Sequence, residues 1–518
     1  MKRRFLFVLF LTTGLSAMAS SLPSSRPNVV ILYGDDVGFG DVGAYGSTMI
    51  PTPNIDRLSR EGLRFTDGHC SASTCTPSRF SLLTGIYAFR YDARILQPNA
   101  PLIIPMDKLT LPQLFKRAGY HTAVIGKWHL GLGEKDVPVD WNGEVKPGPL
   151  EIGFDFSYLL PNTNDRVPCV YLDGHRVENL DPNDPIYVSP RSLEDVSGKG
   201  NTQYPDGQTN REAMTVYQSS HGHAHSVING IGRIGYMSGG KSALWNEEDL
   251  TDKFTAKAKA YIQEHKEKPF FLYFASQDIH VPRYPHPRFR GKSKLGHRGD
   301  SMVAFDWAVG EILDTLEACG LTDNTIVIFS SDNGPVYNDG YEDGTTVVCS
   351  EEEADRGHDG SGIWRGGKYQ IYEGGTRVPF LVRWPERVTP GVSDALVSQV
   401  DLLASFASLL NIPLAPEEAE DSRNMLDTFL GRDATGVRYL VEESFGLALR
   451  DGNWKYVEAA RPGWPRGRDP IPEGLYNLTD DPGEQANLIA DYPERAAQMK
   501  TILKQMRQGA GAREMFRP

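Results

Sequence analysis

Residues 28–33 read Asn-Val-Val-Ile-Leu-Tyr and run directly into Gly34-Asp35-Asp36. A short β-rich run stopped by polar residues has the pattern of a strand ending in a loop. Three more stretches repeat it. Residues 122–125 (TAVI) run into Gly126, Lys127, Trp128 and His129, residues 270–275 (FFLYFA) into Gln277, Asp278 and His280, and residues 325–329 (TIVIF) into Ser331, Asp332 and Asn333. Helical patterns lie between these runs, so the chain is predicted to be α/β, with a mostly parallel sheet flanked by helices. Ligands of open α/β sheets bind beyond the carboxyl ends of the strands. The acidic, basic and imidazole groups gathered there four times mark the candidate site.

Around these strands, residues 159–240 are rich in Asn, Asp, Pro and Gly and carry little periodicity, which predicts long loops over the strand ends. A helical apolar run (DLLASFASLL) begins at Asp401 and is followed by strand-like pieces at 446–450, 453–457 and 474–478 and an amphipathic helix over 492–506. These features predict a smaller C-terminal α+β subdomain. The expected layout is a leader over 1–19, a catalytic domain over 26–410 and a C-terminal unit over 411–518.

The leader reading rests on Lys2, Arg3 and Arg4 ahead of the apolar run 5–11, with Ala17-Met18-Ala19 as a small-residue cleavage site. That run is too short for a membrane span, so an exported protein, periplasmic or secreted and without membrane insertion, is expected. The 518 residues carry 54 basic and 67 acidic side chains, a net charge of −13. This balance excludes a broad nucleic-acid or anionic-membrane footprint, and an anionic ligand needs a local basic pocket. Five cysteines, Cys70, Cys75, Cys169, Cys319 and Cys349, show no zinc spacing. If Cys75 is withdrawn for chemistry, the other four allow three pairings.

The oxygen donors Asp35, Asp36, Asp332 and Asn333 suit a hard cation such as Ca²⁺ or Mg²⁺ rather than zinc. Either pair alone reads as a turn or helix cap. Two pairs at strand ends, in a chain with the cysteine segment described next, read as ligands.

That segment is Cys75-Thr76-Pro77-Ser78-Arg79, followed by Phe80-Ser81-Leu82-Leu83-Thr84-Gly85. A second block runs from Gly119-Tyr120-His121-Thr122 to Gly126-Lys127-Trp128-His129-Leu130-Gly131. Further on come His280-Val281-Pro282, Asp332-Asn333-Gly334, Gly367-Lys368, Glu373-Gly374-Gly375-Thr376-Arg377-Val378-Pro379, Leu475-Tyr476-Asn477-Leu478 and Asp481-Pro482-Gly483-Glu484. In kind and order these blocks resemble the type I sulfatases over nearly the whole mature chain. The resemblance implies an alkaline-phosphatase-like core, one Ca²⁺, and Cys75 converted to formylglycine (3-oxoalanine) by a maturation enzyme. It also implies roles: Arg79 holds the nucleophile and the metal ligands, Lys127 grips sulfate, His280 with Lys368 protonates the departing sugar oxygen, and His129 takes the proton when the hemiacetal collapses. The Glu373–Pro379 block is read as a turn ahead of a strand at 380–382.

Chemistry gives a reason for the modification. A sulfated thiol has no easy exit, whereas a hydrated aldehyde carries two hydroxyls on one carbon, one to attack sulfur and one to let sulfate leave. Cys75 precedes a helical segment, whose first amides favour an anion. In the loop region, Asp165, Arg166, His221 and His223 are candidates for reading sugar hydroxyls. Asp165, Arg166 and one loop histidine resemble the substrate-reading groups of carbohydrate sulfatases acting on 6-sulfated galactose or N-acetylgalactosamine. The sequence 221–225 (HGHAH) also admits a second metal or a solvated loop. The expected activity is hydrolysis of a sulfate ester on a glycan; the alternatives are a phosphodiesterase or phosphonate monoester hydrolase, or a glycan-binding pseudo-enzyme.

Overall fold

The computed structural model describes residues 26–345, 355–460, 470–509 and 511–515. The leader read at 1–19 and Cys349 lie outside them.

The four runs picked out above lie side by side at the centre of a ten-stranded sheet. Strand Asn28–Gly34 pairs in parallel with Phe270–Ala275 on one side and Thr325–Ser331 on the other. Phe270–Ala275 pairs in parallel with His121–Lys127, which pairs in parallel with Phe156–Leu160. These five strands therefore send their carboxyl ends to one edge. The sheet becomes mixed at its margins: Phe380–Arg383 runs antiparallel to Thr325–Ser331, and the hairpin Leu172–Asp173 with Arg176–Val177 adds two short antiparallel strands. The central strands are buried along their whole length because helices cover both faces, which is why they read as continuous apolar runs. Helices Pro53–Glu61, Leu250–His265 and Gly296–Ala318 pack together in one group, and Cys75–Thr84, Leu111–Arg117 and Leu402–Leu409 in another.

The region 159–240 holds more than loops. Besides that hairpin, Tyr187–Ser189 pairs with Tyr236–Ser238, and Val227–Ile228 with Ile231–Gly232. These strands are too short to show a period of two, so the sequence pattern missed them.

Near the C-terminus, Tyr439–Glu443, Leu447–Asp451, Trp454–Val457 and Gly474–Asn477 form a separate four-stranded antiparallel sheet. One face sets Tyr439, Val441, Leu447, Leu449 and Tyr456 against Met499, Leu503 and Met506 of helix Pro493–Gln508. The other face turns Glu442, Arg450 and Lys455 inward, and all three are buried. The sequence reading missed the first strand because its inward positions include a glutamate, which breaks the expected apolar alternation.

Cys70, Cys75, Cys169 and Cys319 are free. Each of the three pairings open to Cys70, Cys169, Cys319 and Cys349 requires a bond between two of the first three, and no such bond forms.

Candidate active site

Helix Cys75–Thr84 begins at the sheet's carboxyl edge, and all ten of its residues are buried. The first helical turn carries Cys75 and Arg79 one turn apart, on one face. Arg79 donates from Nε to Asp332 Oδ2 at 2.9 Å and from its Nη1 to the Lys127 carbonyl at 3.1 Å, tying the helix to two strand ends. Cys75 Sγ lies 3.1 Å from His129 Nδ1. The other ring nitrogen, Nε2, is 3.3 Å from the Leu96 carbonyl, which only accepts. Nε2 therefore carries the proton and Nδ1 turns its lone pair to residue 75. Burial, with help from Arg166 and Lys127, holds His129 well below the usual histidine range, so the ring is neutral. Burial also raises the Cys75 thiol, which makes an unmodified cysteine a poor nucleophile here.

The four oxygen-donor candidates meet beside it. Asp36, with a left-handed φ of 64°, donates its N–H to Asp332 Oδ1 at 3.2 Å, and Asn333 Nδ2 donates to Asp36 Oδ1 at 2.8 Å. Lys127 Nζ sits 2.5 Å from Asp35 Oδ2 and 3.9 Å from Asp332 Oδ2. Lys368 Nζ lies 3.0 Å from Asp36 Oδ2. Burial holds Asp35 and Asp36 above the usual carboxylate range, and the neighbouring Asp332 adds to the rise despite Lys127 and Lys368. For Asp332 burial pushes up too, but Arg79, Lys127 and Lys368 outweigh it and hold the carboxyl low.

A cation fits this cluster. The side-chain oxygens Asp35 Oδ1 and Asn333 Oδ1 are buried without a hydrogen-bond partner, and ligand atoms of Asp35, Asp36 and His280 lie within 4.8 Å of one another. Carboxylate and amide oxygens in excess of local positive charge are the donor set of a hard cation. His280 Nδ1 is taken by the Val281 carbonyl at 2.6 Å, which leaves Nε2 for the site. Burial, then Lys368 and Lys127, lowers its basicity.

The loop residues join the site unevenly. Asn164 Nδ2 donates to the carbonyls of His280 (3.3 Å) and Pro282 (3.1 Å), anchoring the 162–166 loop over the strand ends. Asp165 pairs with Arg166 at 2.9 Å and with His223 Nε2 at 2.9 Å. Burial raises the Asp165 carboxyl, but Arg166 and His223 more than offset this and hold it well below the usual range. The structure thus picks His223 out of the 221–225 stretch as the partner of Asp165. His221 contributes its backbone carbonyl, 3.0 Å from His223 Nδ1, and its ring is only half-buried. His225 stacks on Tyr236 instead.

Asp339 belongs to the site and was not foreseen. Its Oδ2 accepts from Lys368 Nζ at 3.1 Å and from Tyr369 Oη at 2.9 Å. It lies in Asn338-Asp339-Gly340, a run indistinguishable in sequence from an ordinary turn.

Residues 27–412 match the family model described as Sulfatase. The chain belongs to the sulfatase family. An N-acetylgalactosamine-6-O-sulfatase of Bacteroides thetaiotaomicron is 47% identical over 494 residues, 93% of this chain and 94% of that protein. Human arylsulfatase A is 30% identical over 517 residues, 95% of this chain and 89% of that protein. A solved sulfatase structure from Bacteroides thetaiotaomicron, described with the metabolism of multiple glycosaminoglycans, has a TM-score of 0.86 at 45% identity, covering 94% of this chain and all of that one. This sulfatase is accordingly a sulfuric ester hydrolase with the alkaline-phosphatase-like fold expected from the sequence. The phosphodiesterase, phosphonate hydrolase and pseudo-enzyme alternatives are not favoured.

Proposed function

We propose that this sulfatase removes sulfate from a carbohydrate, with 6-O-sulfated galactose or N-acetylgalactosamine as the leading substrate. It would act in the periplasm or outside the cell after export by the leader at 1–19. The observation that carries this reading is the lone pair of His129 Nδ1 directed at residue 75, beside a cluster of buried oxygens with positive charge still to be supplied. Asp35, Asp36, Asp332 and Asn333 would hold Ca²⁺, which supplies charge neutralisation at the sulfate oxygens. Oxidation of Cys75 to an aldehyde by a maturation enzyme, followed by addition of water to that aldehyde, would supply the geminal hydroxyls needed for attack and turnover.

The remaining steps fall to the chain's own side chains. Arg79 fixes Asp332 and keeps the helix start against the strand ends. Lys127 and Lys368 offer ammonium groups to sulfate oxygens. Lys368 is buried, which disfavours its charge, but Asp36 above all, then Tyr369 and Asp339, raise its basicity, so it offers a positive charge beside the departing sugar oxygen. His280, with Nδ1 fixed by a carbonyl, presents Nε2 toward the same place. His129 Nδ1 accepts the proton released when residue 75 expels sulfate. Asp165, Arg166 and His223 form a linked donor–acceptor group suited to sugar hydroxyls. The 6-O-sulfate assignment draws on the Bacteroides thetaiotaomicron relative and on this group.

The test is sulfate release from a panel of monosulfated saccharides, run beside phosphate mono- and diesters on protein matured in the cell. Fastest turnover of a 6-sulfated galactose or N-acetylgalactosamine is expected. Faster turnover of phosphate esters would overturn the reading. Intact mass should show residue 75 lighter by the difference between CH₂SH and CHO groups; a full thiol in active enzyme would refute the modification.

A further inference from the structure

Lys368 is held from two sides. Its Nζ lies 3.0 Å from Asp36 Oδ2, in the candidate ligand set, and 3.1 Å from Asp339 Oδ2, outside that set. A lysine carries its ammonium on a flexible four-carbon stem, so one partner leaves its direction free. A second partner, from another segment, removes that freedom.

Asp339 is itself fixed. The Tyr369 hydroxyl donates to the same Oδ2 at 2.9 Å. Burial, and after it Asp339, holds this hydroxyl well above its usual range, so it stays protonated and remains a donor. Tyr369 has a left-handed φ of 72°, which a bulky side chain adopts only where its surroundings impose it. Here three hydrogen bonds do so: its N–H donates to the Ser73 carbonyl at 2.9 Å, its carbonyl accepts from Ser444 Oγ at 2.9 Å, and its hydroxyl reaches Asp339. Ser73 stands two residues before Cys75, so this chain of contacts runs from the cysteine segment to Lys368.

The segment that carries Asp339 is also braced on the loop that carries His223. Ser220 N–H donates to the Gly340 carbonyl at 3.0 Å, and Ser220 Oγ donates to Asn338 Oδ1 at 2.8 Å. The Tyr341 ring lies 4.7 Å from the His223 ring, and the His223 imidazole leaves no room for a Cβ at Gly340. One short segment is thus in contact with both the Asp165–His223 pair and Lys368.

We propose that Asp339 is a positioning residue: with Tyr369 it fixes the Lys368 ammonium beside residue 75 and ties that position to the loop that reads the sugar. The proposal rests on the carbohydrate-sulfatase reading above and extends it from which charges are present to how one of them is aimed.

The test is a double-mutant cycle in matured full-length enzyme, on whichever monosulfated saccharide is turned over fastest. Asp339→Asn should lower kcat about tenfold, the loss of one charge-assisted hydrogen bond, with KM, thermal midpoint and formylglycine content kept. In a Lys368→Ala background the same change should cost less than about twofold, because the group it positions is gone. An equal cost in both backgrounds would give Asp339 a merely structural role and overturn the proposal. So would an unchanged kcat, with or without a raised KM, since a raised KM alone marks a group that only binds substrate. Tyr369→Phe, which removes one hydroxyl, should lower kcat about threefold, and by less in the Lys368→Ala background; it carries the cycle if Asp339→Asn does not fold. If Lys368→Ala turns over too slowly to read, the split between kcat and KM decides. A wild type that releases sulfate from no saccharide overturns the carbohydrate reading, and the same cycle on an aryl sulfate then decides the role of Asp339.

Discussion

Among the described residues, two clusters of buried carboxylates and cations bring potential metal-ligand atoms within 4.8 Å of one another. In the active site, Asp35, Asp36, Asp332 and Asp339 are paired with Lys127, Lys368 and Arg79. Behind it, Asp67, Glu373, Glu442 and Glu484 are paired with His69, Arg377, Arg450 and Lys455. Among the described residues the first group sets four acids against three cations, and buried side-chain oxygens without a hydrogen-bond partner occur in both groups, Asp35 Oδ1 in the first and Glu484 Oε1 in the second. The second sets four against four: burial works against a charged His69, but its hydrogen bonds to the Asp67 and Glu442 carboxylates outweigh this and raise its basicity. Proximity of ligand atoms therefore does not separate the two. Charge balance does: the first group keeps an excess of acids, and the second matches acids to cations across the junction of the C-terminal sheet with the catalytic core.

The sharpest way to break this distinction is Asp332→Ala. Removing the carboxylate that links Arg79 to the ligand set should cost about 10³-fold or more in turnover, and elemental analysis should show the bound cation lost. Full activity with a full complement of metal would mean that the cation sits elsewhere. The matching change in the closed cluster is Glu373→Ala, which strips Arg450, Lys455 and Arg377 of a shared partner. Urea unfolding should show a loss of about 3–5 kcal/mol, with metal content per folded chain unchanged. Metal loss with stability kept would put a second ion there.

The smallest effect concerns pH. Because His69 is more basic in the folded state than in the unfolded chain, its contribution to stability is complete below about pH 6.5, the ordinary histidine value. It fades as pH rises through the raised folded value. His69→Gln should flatten the decline of stability on the alkaline side of pH 6.5 in a series of thermal melts. A decline of the same steepness would assign it to other groups.

Most of the candidate site was legible because its members stand near the end of a strand or the start of a helix, where local pattern marks a boundary; Lys368 lies in a loop instead. Asp35, Asp36, Lys127, Asp332 and Asn333 follow apolar runs, and Cys75 to Arg79 open a helix. Glu373 shows where such reading stops. Its glycines suggested a simple turn before strand Phe380–Arg383, yet Glu373–Thr376 is a short buried helix. A Cβ on Gly375 would come within 2.1 Å of the Gln370 carbonyl, so glycine lets the backbones close up while Glu373 reaches Arg450 and Lys455 from the distant sheet. Nothing within several residues of Glu373 announces those partners. Asp339 was hidden for the same reason, since it looks like turn chemistry until Lys368 is brought beside it.

From its residues alone, this chain determined which side chains stand at the ends of its central strands, since strand period and turn chemistry act over a few neighbours. Which of those charges find a counter-charge, and which oxygens are left for a cation, was decided only when strands some 300 residues apart in sequence, such as Asn28–Gly34 and Thr325–Ser331, were laid side by side. Charge balance inside a protein depends on distance in space and on exclusion of water, and the order of the residues encodes neither directly.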